Sequence, residues 1–452
     1  MSILIKGGFV ADPANEVASR LNLVLEAGKV ADVTSETPDC EVSLSAEGRC
    51  VVPGFIDIHM HEEGFEEDGR TLKKTLGRAM AQMGVITAIG GNCGENAMDP
   101  LIYLDQVEKQ GSPIHMGLLA GHRFFREMAG CRDKYSRASE AELKAMKTMI
   151  EKRLDAGCAG VSFGIRYVPG IDERELLEIG ALCQKDRKLL SAHVRDDAAF
   201  VFDAVKELTG LGEALQVPVQ VSHIGSMGGF GQMEEVLQMI DQRRARGQDV
   251  TADCYPYYAF STGIGETTYD DGFLERYHMD YSGIEICEGR YKGRRCDEAI
   301  FRELRQNAPE TLTICHVMKP EDVDLAVLHP GLMIASDGLM DDGQGHPRAA
   351  GTFPRVFARY VRTGKLSLYD AVAKMTALPA RKLGLKDKGQ LGKGADADLV
   401  IFDPARIEDR ATFDAPLERP EGIDYVLIDG QTAVDHGEIV NDSLGRAVRF
   451  LP

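Results

Sequence analysis

Between residues 51 and about 338, short apolar runs alternate with longer amphipathic stretches, and this alternation constrains the fold more than any other feature. Eight runs can be counted: 51–59, 85–93, 114–122, 159–165, 189–195, 217–224, 249–257 and 331–338. Apolar runs of this length separated by helix-like segments are the pattern of a parallel sheet with crossover helices. Eight of them fit an α/β fold of the closed (β/α)8 TIM-like type. The intervening segments carry helix signals. In "SEAELKAMKTMIEKRLDAG" (139–157), Ser139 stands ready to cap, Glu142 lies three residues on and Gly157 follows the end.

One interval breaks the rhythm. Residues 262–315, between the seventh and eighth runs, are far longer than a barrel loop requires and predict an inserted subdomain or lid. At the chain ends the period changes to short alternating strands with Gly, Asp and Pro turns, as in "LNLVLEAGKVADV" and "DYVLIDGQTAVDHG". Residues 1–50 and 388–452 therefore predict one small β-domain built from both termini, beside a barrel of residues 51–387.

The formal charge of −19 and the absence of a Lys/Arg block argue against nucleic-acid binding. No apolar run reaches the length of a membrane span. Ten cysteines without a tight framework of spacings point to free thiols, and with no secretory pattern at "MSILIKGGFV" they predict the reducing cytoplasm.

In a (β/α)8 barrel, active sites form where strands end at the C-terminal face, so a polar residue closing an apolar run is informative. His59 and His61 close the first run, Cys93 the second, His193 the fifth, His223 the sixth and Asp337 the eighth. Residues two apart on a strand share a side, so His59 and His61 can face one ion. Alone, such a pair serves equally as a strand end hydrogen-bonded to its loop. Histidines recurring after runs five and six favour metal ligation, since imidazole is a common zinc ligand. Cys93, in "GGNCGEN", is either a small buried hydrophobe or a thiolate ligand. Asp337 could cap the next helix. Beside a metal it could instead take a proton from attacking water and return it to the leaving nitrogen. Glu62, Glu63, Glu66, Glu67 and Asp68 form a charge run that reads first as a solvated face.

Taken together, "VVPGFIDIHMH", "GGNCGEN", "SAHVRDD", "VSHIG", "IASDG", "HPRAAGTFPRVFARYVR", "LGKGADADLVIFDP" and "DRATF" resemble the amidohydrolase superfamily, and within it the N-acyl-D-amino-acid deacylases (D-aminoacylases). The resemblance spans nearly the whole chain. It implies a barrel flanked by a β-sandwich from both termini, with an insertion before the last strand. It further implies that Cys93, His193 and His223 hold a tightly bound zinc, that His59 and His61 belong to a second, weaker metal position, and that Asp337 is the general base. Arg348 and Tyr255 would bind the substrate carboxylate. Many binuclear relatives bridge their metals with a carboxylated lysine on strand four, and "AGVSFGIRYVPG" has none. The implied reaction is hydrolysis of N-acyl-D-amino acids, small molecules, to a carboxylate and a free D-amino acid. Rival readings on the same scaffold are a cyclic amidase of dihydroorotase or hydantoinase type, a dipeptidase, or an inactive binding module. Many members follow the strand-six histidine with a second histidine and a lysine, where this chain has Ile224, Gly225 and Ser226. Oligomeric state is not legible in the sequence.

Overall fold

The computed structural model describes residues 2–451. Eight short parallel strands form the centre: β1 (Phe55–Asp57), β2 (Val85–Gly90), β3 (His115–Leu118), β4 (Gly160–Gly164), β5 (Leu189–His193), β6 (Val219–Val221), β7 (Val250–Cys254) and β8 (Leu332–Ile334). Each matches one of the eight apolar runs. Residues 120–121 prolong β3 and pair with β4, and a parallel bridge from Met60 to Gly338 joins β1 to β8, so the strands follow one another round a closed barrel. Strands buried on both sides need no polar alternation, which is why the runs are almost continuously apolar. The helix Glu140–Asp155 starts as its sequence dictates: Ser139 accepts from the Glu142 N–H, and the Glu142 carboxylate receives the Ser139 N–H in return.

The run 51–59 divides in two. Cys50–Pro53 pairs antiparallel with Leu399–Phe402 in the terminal domain, and Gly54 then turns the chain into β1. A Cβ at Gly54 would lie 2.4 Å from Ile86 Cδ1, so the chain passes the Ile86 side chain of β2 this closely only at a glycine. The terminal strands form one hydrogen-bonded path drawn from residues 2–53 and 399–439. Their inward side chains, including Ile5, Leu23, Val51, Leu399 and Leu427, build a core separate from that of the barrel. The last residues leave this domain. Gly445 bridges to Ser112 and Ala447 to Met116, and Phe450 N–H donates to Gly157 O, so the C-terminal tail covers the N-terminal ends of β3 and β4.

Between β7 and β8, Phe260–Gly263 and Ile284–Ile286 flank Leu312–Cys315 in a small antiparallel sheet. Tyr269, Phe273, Tyr281 and Phe301 pack together against it. This insertion stands at the C-terminal face of the barrel. Among the described residues no helix is long and apolar enough to cross a membrane. All ten cysteines are free.

Candidate metal centre and active site

At the C-terminal ends of the strands, ligand atoms of His59, Cys93, His223 and Asp337 all lie within 4.8 Å of one another, and all four residues are buried. Cys93 Sγ is 3.5 Å from Nε2 of both His59 and His223. Asp337 Oδ1 is 3.4 Å from His59 Nε2 and 3.2 Å from His61 Nε2. His193 stands just outside this quartet. Its ring lies 4.5 Å from that of His223, and its buried Nδ1 has no hydrogen-bond partner. All six strand-end residues therefore meet at one place.

Three of them depart from ordinary backbone geometry. Cys93, His223 and Asp337 have φ of 53°, 32° and 49°, in the left-handed region that non-glycine residues rarely adopt. Such strain persists only where neighbours fix the backbone, and it clusters at functional sites. Here the Asp337 N–H donates to His59 O at 2.8 Å and the His223 N–H to Asp253 Oδ1 at 2.8 Å. After Cys93, the Gly94 N–H donates to Ser162 Oγ at 3.0 Å. Ser162 is a β4 residue, and its hydroxyl donates in turn to Gly91 O.

The charges are strongly coupled. Burial pushes the Cys93 thiol up, but His59 and His223, with His193 bonded to the sulfur, hold it well below the ordinary thiol value. Burial likewise raises the Asp337 carboxyl, and Arg348, His223 and His61 outweigh it. Burial opposes the charged form of His61, yet Asp337 and Cys93 push it up to about 10. His193 is pushed down to about 4 by burial and by neighbouring His223. Ser226 Oγ lies 3.0 Å from His223 Nδ1, which leaves Nε2 facing the sulfur.

Arg348 and Tyr255 are both buried here. Arg348 Nη1 lies 2.9 Å from Asp337 Oδ2, its guanidinium covers the Tyr255 ring at 4.7 Å, and its Nε and the Tyr255 hydroxyl have no hydrogen-bond partner. A cavity of about 390 Å³ opens above the cluster, lined by His61, Cys93, His223, Asp337 and Arg348 and walled by the insertion through Ser261, Glu266 and Glu310.

Sequence reasoning missed the supports. Asp57 is fully buried and accepts from the His59 N–H at 3.1 Å and from the Ser336 N–H and hydroxyl, tying β1 to the Asp337 turn. Strand alternation places it on the side of His59 and His61, so a signal existed. Asp253, at the end of β7, stands 3.4 Å from His59 Nδ1 while holding the His223 N–H.

The charge run 62–68 requires a correction. Glu66, Glu67 and Asp68 are exposed, but Glu62 is buried, and its carboxylate accepts from Gly91 N at 2.6 Å, Ala97 N at 3.0 Å and Asn96 Nδ2 at 3.1 Å. Glu63 accepts from Leu76 N at 2.7 Å, in the first turn of the helix Thr75–Gln82. None of the five lines the cavity.

Residues 325–434 match the pattern of the amidohydrolase family. The chain is 31% identical to a D-aminoacylase of Alcaligenes xylosoxydans xylosoxydans, over 99% of this chain and 97% of that one. It is 33% identical to an N-acyl-D-glutamate deacylase of the same organism, over 95% of this chain and 93% of that one. The chain belongs to the D-aminoacylase family of amidohydrolases. Among solved structures it is similar to an N-acyl-D-glutamate deacylase from Bordetella bronchiseptica, complexed with zinc and a phosphonate mimic of the tetrahedral intermediate. That likeness has a TM-score of 0.88 at 30% identity, over 99% of both chains. Membership in the D-aminoacylase family accounts for the barrel, the terminal β-domain and the insertion together.

Proposed function

We propose that the chain hydrolyses the amide bond of N-acyl-D-amino acids, giving a carboxylate and the free D-amino acid, with zinc as its metal. The observation that carries this is the buried quartet of one sulfur, two imidazole nitrogens and one carboxylate within 4.8 Å at the barrel's C-terminal face. The donor set fits zinc, which takes thiolate, imidazole and carboxylate in a tetrahedral shell. The lowered Cys93 thiol and the unpartnered ring nitrogen of His193 suit that role. Cys93, His193 and His223 would hold a tightly bound ion, and His59 and His61, beside Asp337, a second and weaker one. When bound, zinc supplies Lewis-acid polarisation of the acyl carbonyl and acidifies water.

Asp337 is held ionised in the resting site, as a general base must be. Its carboxylate takes the proton of the attacking water and delivers it to the departing nitrogen, which leaves as an amine. Arg348 supports the step from the other side by fixing the second Asp337 oxygen. Its unpartnered Nε and the unpartnered Tyr255 hydroxyl are the donors offered to a substrate carboxylate. A D-amino acid as the leaving group follows from the family and its named members, since neither periodicity nor spacing encodes handedness.

The test is free-amine release by zinc-loaded protein from matched D and L N-acetyl amino acids, beside Asp337→Asn. Release from D substrates only, with kcat/KM lowered about 10²- to 10⁴-fold in the variant, is expected. Turnover of L substrates or ring amides in their place, or an active Asp337→Asn protein, would overturn the reading.

A further inference from the structure

The cavity above Asp337 is electrically lopsided. Glu95, Glu266, Glu310 and Asp341 line it, and Arg348, already against Asp337, is the one lysine or arginine among its lining residues. The four carboxylates are not equally compensated. Glu95 and Glu266 share Arg123, whose Nη1 lies 2.8 Å and 3.1 Å from them, and Lys134 stands 3.8 Å from the second Glu266 oxygen. That oxygen is buried and makes no hydrogen bond. Glu310 and Asp341, both exposed, have no ion-pair partner among the described residues, and Asp341 shares a hydrogen bond with Glu288. Behind them, Glu288 accepts from Leu312 N at 2.7 Å. Its carboxyl is raised by burial, by the charge and hydrogen bond of Asp341, and by the charge of Glu310.

Two separated features thus face one cavity: a buried arginine with an unpartnered N–H, suited to a carboxylate, and exposed carboxylates without an ion-pair partner, suited to a cation. We propose that the N-acyl-D-amino acid accepted here carries a cationic side chain, an ammonium or guanidinium held by Glu310 and Asp341. The inference rests on the deacylase reading above and adds the substrate's side-chain class. The chemistry is complementary charge at a solvent-facing wall, which favours one sign of substrate and repels the other. A D-glutamyl or D-aspartyl side chain would bring a second carboxylate against this wall, where no unpaired cation waits for it.

The experiment compares kcat/KM of the zinc-loaded full chain on N-acetyl-D-lysine, N-acetyl-D-arginine, N-acetyl-D-leucine and N-acetyl-D-glutamate, with glycyl-D-leucine carrying a cation at the acyl end. Lysine and arginine substrates are expected to exceed leucine by about tenfold and glutamate by more, and E310Q/D341N to shrink the lysine-to-leucine ratio by about tenfold. Raising ionic strength should shrink the same ratio. Leucine or glutamate leading the panel, a ratio untouched by E310Q/D341N, or glycyl-D-leucine exceeding N-acetyl-D-lysine would each overturn the side-chain assignment while leaving the deacylase reading standing. No turnover of any N-acyl-D-amino acid would overturn that reading, and the inference with it.

Discussion

Glu62 offers the sharpest test of how the metal centre is held. Its two oxygens accept three donors at 2.6 to 3.1 Å, two of them backbone N–H groups that bracket Cys93 at positions 91 and 97. Glutamine preserves the volume but turns one oxygen into an NH2 group, so whichever way the amide lies, an amino group meets a backbone donor. Leaving one buried backbone N–H without the charged acceptor it now meets costs about 1.5–3 kcal/mol. Because Cys93 sits in that loop at a φ of 53°, loosening its frame should also release the thiolate's position. Supporting residues of this kind typically change metal affinity about 10- to 100-fold. The assay is zinc competition against a chelator for the native protein and Glu62→Gln, paired with thermal unfolding of both without zinc. A variant that is destabilised yet binds zinc within about twofold of native would refute the positioning role.

Cys93→Ser should lose its zinc on dialysis, because a serine hydroxyl is not ionised near neutral pH as the lowered thiol is; metal analysis showing one equivalent retained would contradict this. His193→Asn should lose the tightly held ion while His61→Asn keeps it and loses only weaker binding, and the reverse stoichiometry would exchange the two sites. Asp398, between the terminal domain and the barrel, has a raised tendency from burial that Lys388 and His115 overcome, leaving its carboxyl below the ordinary 3.8. A depressed carboxyl contributes stability that is complete above 3.8 and is lost as pH falls toward the folded value. Asp398→Asn should therefore flatten the acid limb of a Tm-against-pH curve, and an unchanged limb would show that Asp398 and its partners do not govern acid unfolding.

The barrel was readable because its strands are buried on both faces, so hydrophobic runs mark them without ambiguity, and because residues closing those runs necessarily converge at one end. His59, Cys93, His193, His223 and Asp337 come together for that reason. Asp57 could have been read from the same alternation, standing two residues before His59. Glu62 could not: a lone buried carboxylate inside "HEEGFEED" looks like its exposed neighbours, and only the fold carries it under the Cys93 loop. The C-terminal tail reads in sequence as part of the β-domain because it follows that domain's alternating strands, but its bridges to Ser112 and Met116 are long-range pairings with no local signal. The acidity of the cavity is equally nonlocal, since Glu95, Glu310 and Asp341 come from three separate segments.

Cys93, proposed above as a zinc ligand, would carry a particular burden of support. A ligand on a barrel strand is positioned by the barrel's own hydrogen bonds, whereas Cys93 stands on the loop after β2 and at a backbone angle that costs free energy. That loop must be fixed from several directions, and it is. Ser162 on β4 accepts from Gly94 N and donates to Gly91 O. Glu62 after β1 holds Gly91 and Ala97, and Asn96 bridges Glu62 to Leu119 O while accepting from Gly121 N. Ser162 thus props the loop that carries Cys93 from the side of β4. Its replacement should act on zinc retention through Cys93: Ser162→Ala should weaken zinc binding in the same assay as Glu62→Gln. Because the two act on one loop, the double variant should fall short of the sum of the single effects. Full additivity would mean that Ser162 and Glu62 support separate structures, and the account of a loop braced by β1 and β4 together would fail.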